Sequence, residues 1–223
     1  MTVFRRIALT ALLFAVYSCL SGVASDSTIS KIRPGDIVFQ DLETLQSKAI
    51  KLATHSEFTH CGVVFKKDGN LVVYEAVQPV TVTALRDWID RGVNHYVVVK
   101  RLIGADSLLD PGALDSMQLV ANGYLGRDYD IYFAWSDEQM YCSELVWKVY
   151  ERGLGVELTD LRPMKDFDLS HPVVQAIMAE RYGEDVPLDH PMVSPGDLFE
   201  AAKLEEVYVT PSDTIPPAPP ELE

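Results

Sequence analysis

Tyr141-Cys142-Ser143-Glu144 opens a run that reads as a helix, and a cysteine in that position is primed for chemistry. The unpaired backbone N–H groups and the macrodipole at a helix start favour an anion, so a thiolate forms there more readily. Far upstream, Phe58-Thr59-His60-Cys61-Gly62 sets a histidine at the head of a strand-like run. Glu75 follows one strand later, in Val73-Tyr74-Glu75-Ala76-Val77. Thiolate, imidazole and carboxylate are the three parts of an activated cysteine nucleophile. The expected chemistry is hydrolysis through a thioester. Cys142 attacks an acyl carbonyl, His60 moves the proton, and the Cys142 backbone N–H is the expected oxyanion donor.

A hairpin must position two of these groups. With Asp68-Gly69 as a two-residue turn, Lys67 pairs with Asn70, Gly62 with Glu75 and His60 with Val77. His60 and Glu75 then share one face as diagonal neighbours, roughly 7–8 Å apart at the backbone. A one-residue slip would send them to opposite faces. Each residue alone has a plainer reading. A strand histidine is more often a hydrogen-bonded core or edge residue, and a helix-start cysteine more often a buried thiol. Glu75 is harder to dismiss, because an unpaired carboxylate in so apolar a strand is costly.

The remaining elements follow from periodicity and turn residues. Gly35–Gln40 reads as a strand, and Asp41 caps a helix over Leu42–Ala53 with Leu42, Leu45, Ala49, Ile50 and Ala53 on one stripe. Thr59–Lys66, Leu71–Val77 and Tyr96–Arg101 are further strands. Asp110-Pro111 starts a helix ending near Gly126, Cys142–Arg152 is a helix stopped by Gly153, and helices open at Ser170/Pro172 (through Arg181) and at Ser194-Pro195. Strands early and helices late predict an α+β fold with a small antiparallel sheet packed with helices.

The 223 residues divide into three parts. Residues 1–24 read as a signal peptide: Arg5 and Arg6, the apolar run Ile7–Tyr17, then Gly22-Val23-Ala24 as the cleavage site. Residues 25–209 form one domain, and 210–223 a Pro-rich tail with no means of building a core. Export to the periplasm is expected. Val16-Tyr17-Ser18-Cys19 is a weaker match to a lipoprotein site, since tyrosine is unusual there. No transmembrane segment is expected in the mature chain. The formal net charge is −14, and an acidic surface repels phosphate backbones, so no nucleic acid partner is expected. His55, His95, His171 and His190 are scattered and no Cys-x-x-Cys occurs, so neither a metal site nor a cofactor is expected. Strand alternation points Cys61 away from His60, which favours a small buried apolar residue over a disulfide with Cys142. Tyr141, Trp135 and Asp137 precede the nucleophile and are candidates to line a cleft; for Trp135 and Asp137 a surface loop is an equal explanation.

Several stretches together resemble the NlpC/P60 superfamily, in its circularly permuted papain-like branch of YiiX/YaeF type. They are Gly35-Asp36-Ile37-Val38-Phe39-Gln40, Gln46-Ser47-Lys48-Ala49-Ile50, Thr59-His60-Cys61-Gly62, Tyr74-Glu75-Ala76-Val77, Gly126-Arg127-Asp128-Tyr129-Asp130, Trp135-Ser136-Asp137, Tyr141 to Trp147, and Asp166-Phe167-Asp168-Leu169-Ser170. The resemblance implies a permuted papain-like fold with histidine, acid and cysteine in that chain order. It implies Cys142 as nucleophile, His60 as base and Glu75 as orienting acid. It also implies an amide-containing substrate, with peptidoglycan peptide as the default for an exported member. The alternative is a lipid N-acyl amidase or acyltransferase, because other branches of the scaffold serve lipid acyl transfer. A reading of another class is a noncatalytic binding protein that kept the fold.

Overall fold

In the computed structural model, which describes residues 30–211, eight strands follow in chain order. They are β1 (Ile37–Gln40), β2 (His60–Lys67), β3 (Asn70–Glu75), β4 (Thr81–Ala84), β5 (Val98–Leu102), β6 (Arg162–Pro163), β7 (Pro191–Met192) and β8 (Leu204–Val209). Six of them make one sheet in the order β4-β3-β2-β1-β5-β8, every pair antiparallel, while β6 and β7 form a separate short ladder. Seven α-helices accompany them: α1 (Leu45–Thr54), α2 (Leu85–Arg91), α3 (Ala105–Leu108), α4 (Pro111–Tyr124), α5 (Cys142–Leu154), α6 (Pro172–Tyr182) and α7 (Pro195–Phe199). The expected α+β class is the one observed. Residues 1–24, read as a signal peptide, and nearly all of the tail read over 210–223 lie outside the described residues.

The two faces of the sheet carry separate cores. Cys61, Val63 and Phe65 of β2 face α5, where Cys142, Leu145 and Val149 complete the larger core. Val38, Val64 and Val73 face the other way and are covered by Leu85, Trp88 and Ile89 of α2. This is the period-two alternation of strands at work, with one helix claiming each face.

Some local expectations change. The first helix begins at Leu45, capped by Thr44, whose hydroxyl accepts from the Ser47 N–H at 3.0 Å. Asp41 is instead held by Lys51 Nζ at 2.5 Å and the Thr59 hydroxyl at 2.9 Å. Leu45, read as part of the buried stripe, is 66% exposed. Gly153 does not stop α5. The helix continues to Leu154 and ends at Gly155, whose φ of 71° is left-handed and whose N–H returns to the Glu151 carbonyl at 2.8 Å. Gly153 is needed for close packing: a Cβ there would lie 2.5 Å from the Met117 Cα of α4. Strands β4 and β8 and helix α2 were not expected. Thr81–Ala84 and Leu204–Val209 are short sheet-edge segments whose weak alternation is decided by pairing with β3 and β5.

Candidate active site

Asp68 and Gly69 both have positive φ, 50° and 82°, the conformation a two-residue hairpin turn demands. Lys67 pairs with Asn70 and Val63 with Tyr74, so the expected register is the observed one. His60 therefore opens β2 and Glu75 closes β3, and His60 Nε2 lies 2.6 Å from Glu75 Oε2. Gly62 makes room for this. A Cβ there would come within 2.4 Å of Val73 Cγ1 and 2.8 Å of the Tyr74 carbonyl oxygen.

Glu75 is completely buried and accepts four hydrogen bonds. His60 and Trp88 Nε1 (3.0 Å) donate to Oε2, as does Arg91 NH2 (2.5 Å), while the Thr83 hydroxyl donates to Oε1 at 2.5 Å. Burial alone would raise the carboxyl, but these donors outweigh it and hold Glu75 down to about 2. Nε2 is engaged by Glu75, and Cys142 is the other side chain that acts on the imidazole. Burial disfavours the imidazolium, yet hydrogen bonds to Cys142 and Glu75 raise His60 to about 9.

Cys142 is N1 of α5, with Tyr141 as the N-cap residue. A hydrogen bond from the Cys61 thiol is the largest influence on it. Together with His60 and the Cys61 backbone N–H, that bond overcomes burial and holds the Cys142 thiol well below its ordinary range. Burial and the neighbouring thiolate push Cys61 up, so Cys61 stays protonated and donates. Both cysteines are free and buried. Cys61 does point away from His60, as alternation requires, but toward α5. It is therefore a neighbour of Cys142 rather than a remote core residue.

From Cys142 a cavity runs between α1 and α6. Ala49, Ile50 and Ala53 line one side, Val174, Ile177 and Met178 the other, and Phe133, Phe167 and Leu169 add apolar surface. Its polar groups form a chain. Arg181 NH2 donates to Gln46 Oε1 at 2.7 Å, which fixes the amide so that Gln46 Nε2 donates to the Tyr129 hydroxyl oxygen at 2.9 Å. Burial and the Cys142 thiolate raise Tyr129 well above its ordinary value, so it keeps its proton.

The other sequence candidates separate. Tyr141 is buried, lines the cavity and accepts from the Val193 N–H at 3.3 Å. Trp135 and Asp137 are not among the cavity-lining residues. Trp135 packs on Trp147, ring centroids 5.2 Å apart, and over Lys148 Nζ at 4.8 Å. Asp137 accepts from Lys148 at 2.9 Å and from Arg152 at 2.8 Å, fastening the loop to α5. Buried Lys148 also donates to Glu144 at 2.7 Å, and burial still lifts Glu144 to about 7. Glu144 in turn accepts from the Tyr141 N–H at 3.4 Å, steadying the turn before Cys142. Residues not singled out from sequence are Thr83, Trp88 and Arg91 around Glu75, and Gln46, Tyr129 and Arg181 in the cavity. Gln46 and Tyr129 lie in stretches shared with the family. The donors to Glu75 carry no local signal.

Comparisons with known proteins place the chain in a family. The chain is 44% identical over 173 residues to the uncharacterized protein YiiX of Escherichia coli K12, covering 78% of this chain and 84% of that one. A crystal structure of YiiX from Escherichia coli O157:H7 superposes with a TM-score of 0.77 at 42% identity, over 81% of this chain and 98% of that one. That protein is described as a metalloprotein. Among the described residues here, no group of three or more His, Cys, Asp or Glu is placed to hold an ion. The family model for permuted papain-like amidase enzymes of the YaeF/YiiX type matches residues 31–208. The chain, with its histidine and acid on a hairpin ahead of its helix-start cysteine, belongs to that family of permuted papain-like amidases.

Proposed function

We propose that the chain is an exported cysteine amidase that cleaves an amide through a Cys142 thioester, with His60 and Glu75 completing the triad. The observation that carries this reading is His60, bonded to Glu75 at 2.6 Å and raised by both Glu75 and Cys142, with Cys142 itself lining an apolar cavity. The thiolate adds to the carbonyl carbon. The Cys142 N–H at the start of α5 and the Tyr129 hydroxyl, whose oxygen is already occupied by Gln46, are the donors for the developing oxyanion. The imidazolium gives its proton to the departing amine. Neutral His60 then takes a proton from water as the water attacks the thioester, and the acid leaves with Cys142 restored. Export is supported by the leader pattern of residues 1–24.

The family resemblance leaves two substrate classes, cell-wall peptide and N-acyl lipid. The apolar walls beside Cys142 favour the second, because a stem peptide would leave its polar groups unpaired there while an alkyl chain would not. The test is a mass-spectrometric search for acyl-Cys142, with muropeptides and N-octanoyl amides offered in parallel and with or without an amine acceptor. Acid and amine released in equal amounts from the N-octanoyl amide, without acceptor, is the expected result. Cleavage of muropeptides alone would restore the cell-wall substrate, and turnover only with acceptor would make the protein an acyltransferase. Substrate bound without any acyl-Cys142 would make it a noncatalytic binder.

A further inference from the structure

We propose that Arg91 acts on His60 through Glu75, offsetting the carboxylate's charge so that the proton shared along the triad is not held too tightly by the imidazole. This rests on the triad reading above. Three of the four donors to Glu75 come from a single stretch, Thr83 at the end of β4 and Trp88 and Arg91 of α2. They divide by charge. Thr83 and Trp88 are neutral and fix orientation, one per oxygen. The Trp88 ring also stacks beside the His60 ring at 6.0 Å, 27° from parallel.

Arg91 adds a full positive charge to the same oxygen that His60 uses, both within 2.6 Å. Four groups then run in alternating sign: Arg91, Glu75, His60 and Cys142. In the thiolate–imidazolium state their sum is zero, and it stays zero when the proton returns to sulfur. A carboxylate bound only by neutral donors would leave a net negative charge in a buried place and bind the imidazolium proton more strongly. Other titratable groups lie near this line or on the elements that carry it. Cys61 comes from β2, Tyr129 and Arg181 stand on the cavity side of Cys142, and Asp87 lies one turn back on α2. His95, the nearest histidine beyond α2, is turned to Asp90 at 3.9 Å.

The experiment reads the two ends of the line separately in full-length mature protein. Iodoacetamide alkylation of Cys142, followed by mass spectrometry across pH, reports the thiolate. The imidazole Cε1–H NMR resonance of His60, assigned with His60→Gln, reports the proton on the ring. Removing a positive charge raises both neighbouring titrations, so Arg91→Met should move both midpoints up by about 0.5–1 unit, a three- to tenfold change in each proton affinity. Arg91→Lys should restore them. If Arg91→Met does not fold, Arg91→Gln keeps a donor without charge and carries the same expectation. Midpoints that stay in place, or that move down because Glu75 swings away from His60, would overturn the proposal. The triad reading fails differently: the wild-type protein itself would then show an ordinary thiol midpoint at Cys142.

Discussion

His60 and Glu75 are fifteen residues apart, diagonal across the β2–β3 hairpin, and their side chains meet at 2.6 Å in a place closed to solvent. That contact is short because Asp68-Gly69 sets the register and Gly62, lacking a Cβ, lets Val73 and the Tyr74 carbonyl of β3 come close to β2. It is also costly in isolation, since two ionisable groups without water need further partners. Glu75 has Thr83, Trp88 and Arg91, and His60 has Cys142.

The first prediction concerns the thiols. Near neutral pH, iodoacetamide should label Cys142 faster than Cys61, which burial and the adjacent thiolate keep protonated. His60→Gln should slow labelling of Cys142 by about tenfold or more, as its thiol returns toward the ordinary range. Equal rates at the two cysteines would remove Cys142 from the nucleophile's role.

Glu75→Gln should cost on the order of 10²–10⁴ in kcat with little effect on KM. A neutral amide cannot balance the imidazolium, and its NH2 would confront donors on every side. The His60 midpoint should fall from about 9 toward 6.5 in the same variant, visible in the NMR titration.

Gly62→Ala should destabilise the protein by about 1–3 kcal/mol, because Val73 and the Tyr74 carbonyl both stand inside contact distance of the new methyl group. Deleting Lys67 should be worse for catalysis than for folding. It shifts the register by one, parts His60 from Glu75 and abolishes turnover even where a cooperative melt survives.

Acid should act through Glu75. Its folded value, about 2, lies below the ordinary 4.5, so the stability gained from its ionised form is fully present above 4.5 and is lost as pH falls through 2. In urea titrations the gap between wild type and Glu75→Gln should be widest above pH 4.5 and close by pH 2. The His60–Cys142 pair should contribute almost no slope near neutrality. His60 is raised and Cys142 lowered, so folding transfers a proton between them and takes none from water.

Asp137→Asn removes two ion pairs that tie its loop to α5. It should lower the melting temperature by a few degrees while leaving the alkylation rate of Cys142 within about twofold, as expected of a half-exposed structural pair. A large rise in KM with an unchanged melt would return Asp137 to the substrate cleft.

Much of the site was legible where the determining interactions are local. A two-residue turn fixes hairpin register within a few residues, so Asp68-Gly69 was enough to put His60 and Glu75 on one face. The helix start at Cys142 was likewise written in its own neighbours. Element boundaries slipped where side chains compete for the same role, as Thr44 took the cap from Asp41 and Gly153 served packing instead of ending α5. Tertiary structure decided the rest. Alternation says which residues share a face but not which element covers it, so the sequence could set Cys61 opposite His60 without showing that α5 lies on that face. For the same reason α2 arrived unannounced with Trp88 and Arg91, and the apolar cavity exists only because α1 and α6, more than a hundred residues apart, close over Cys142.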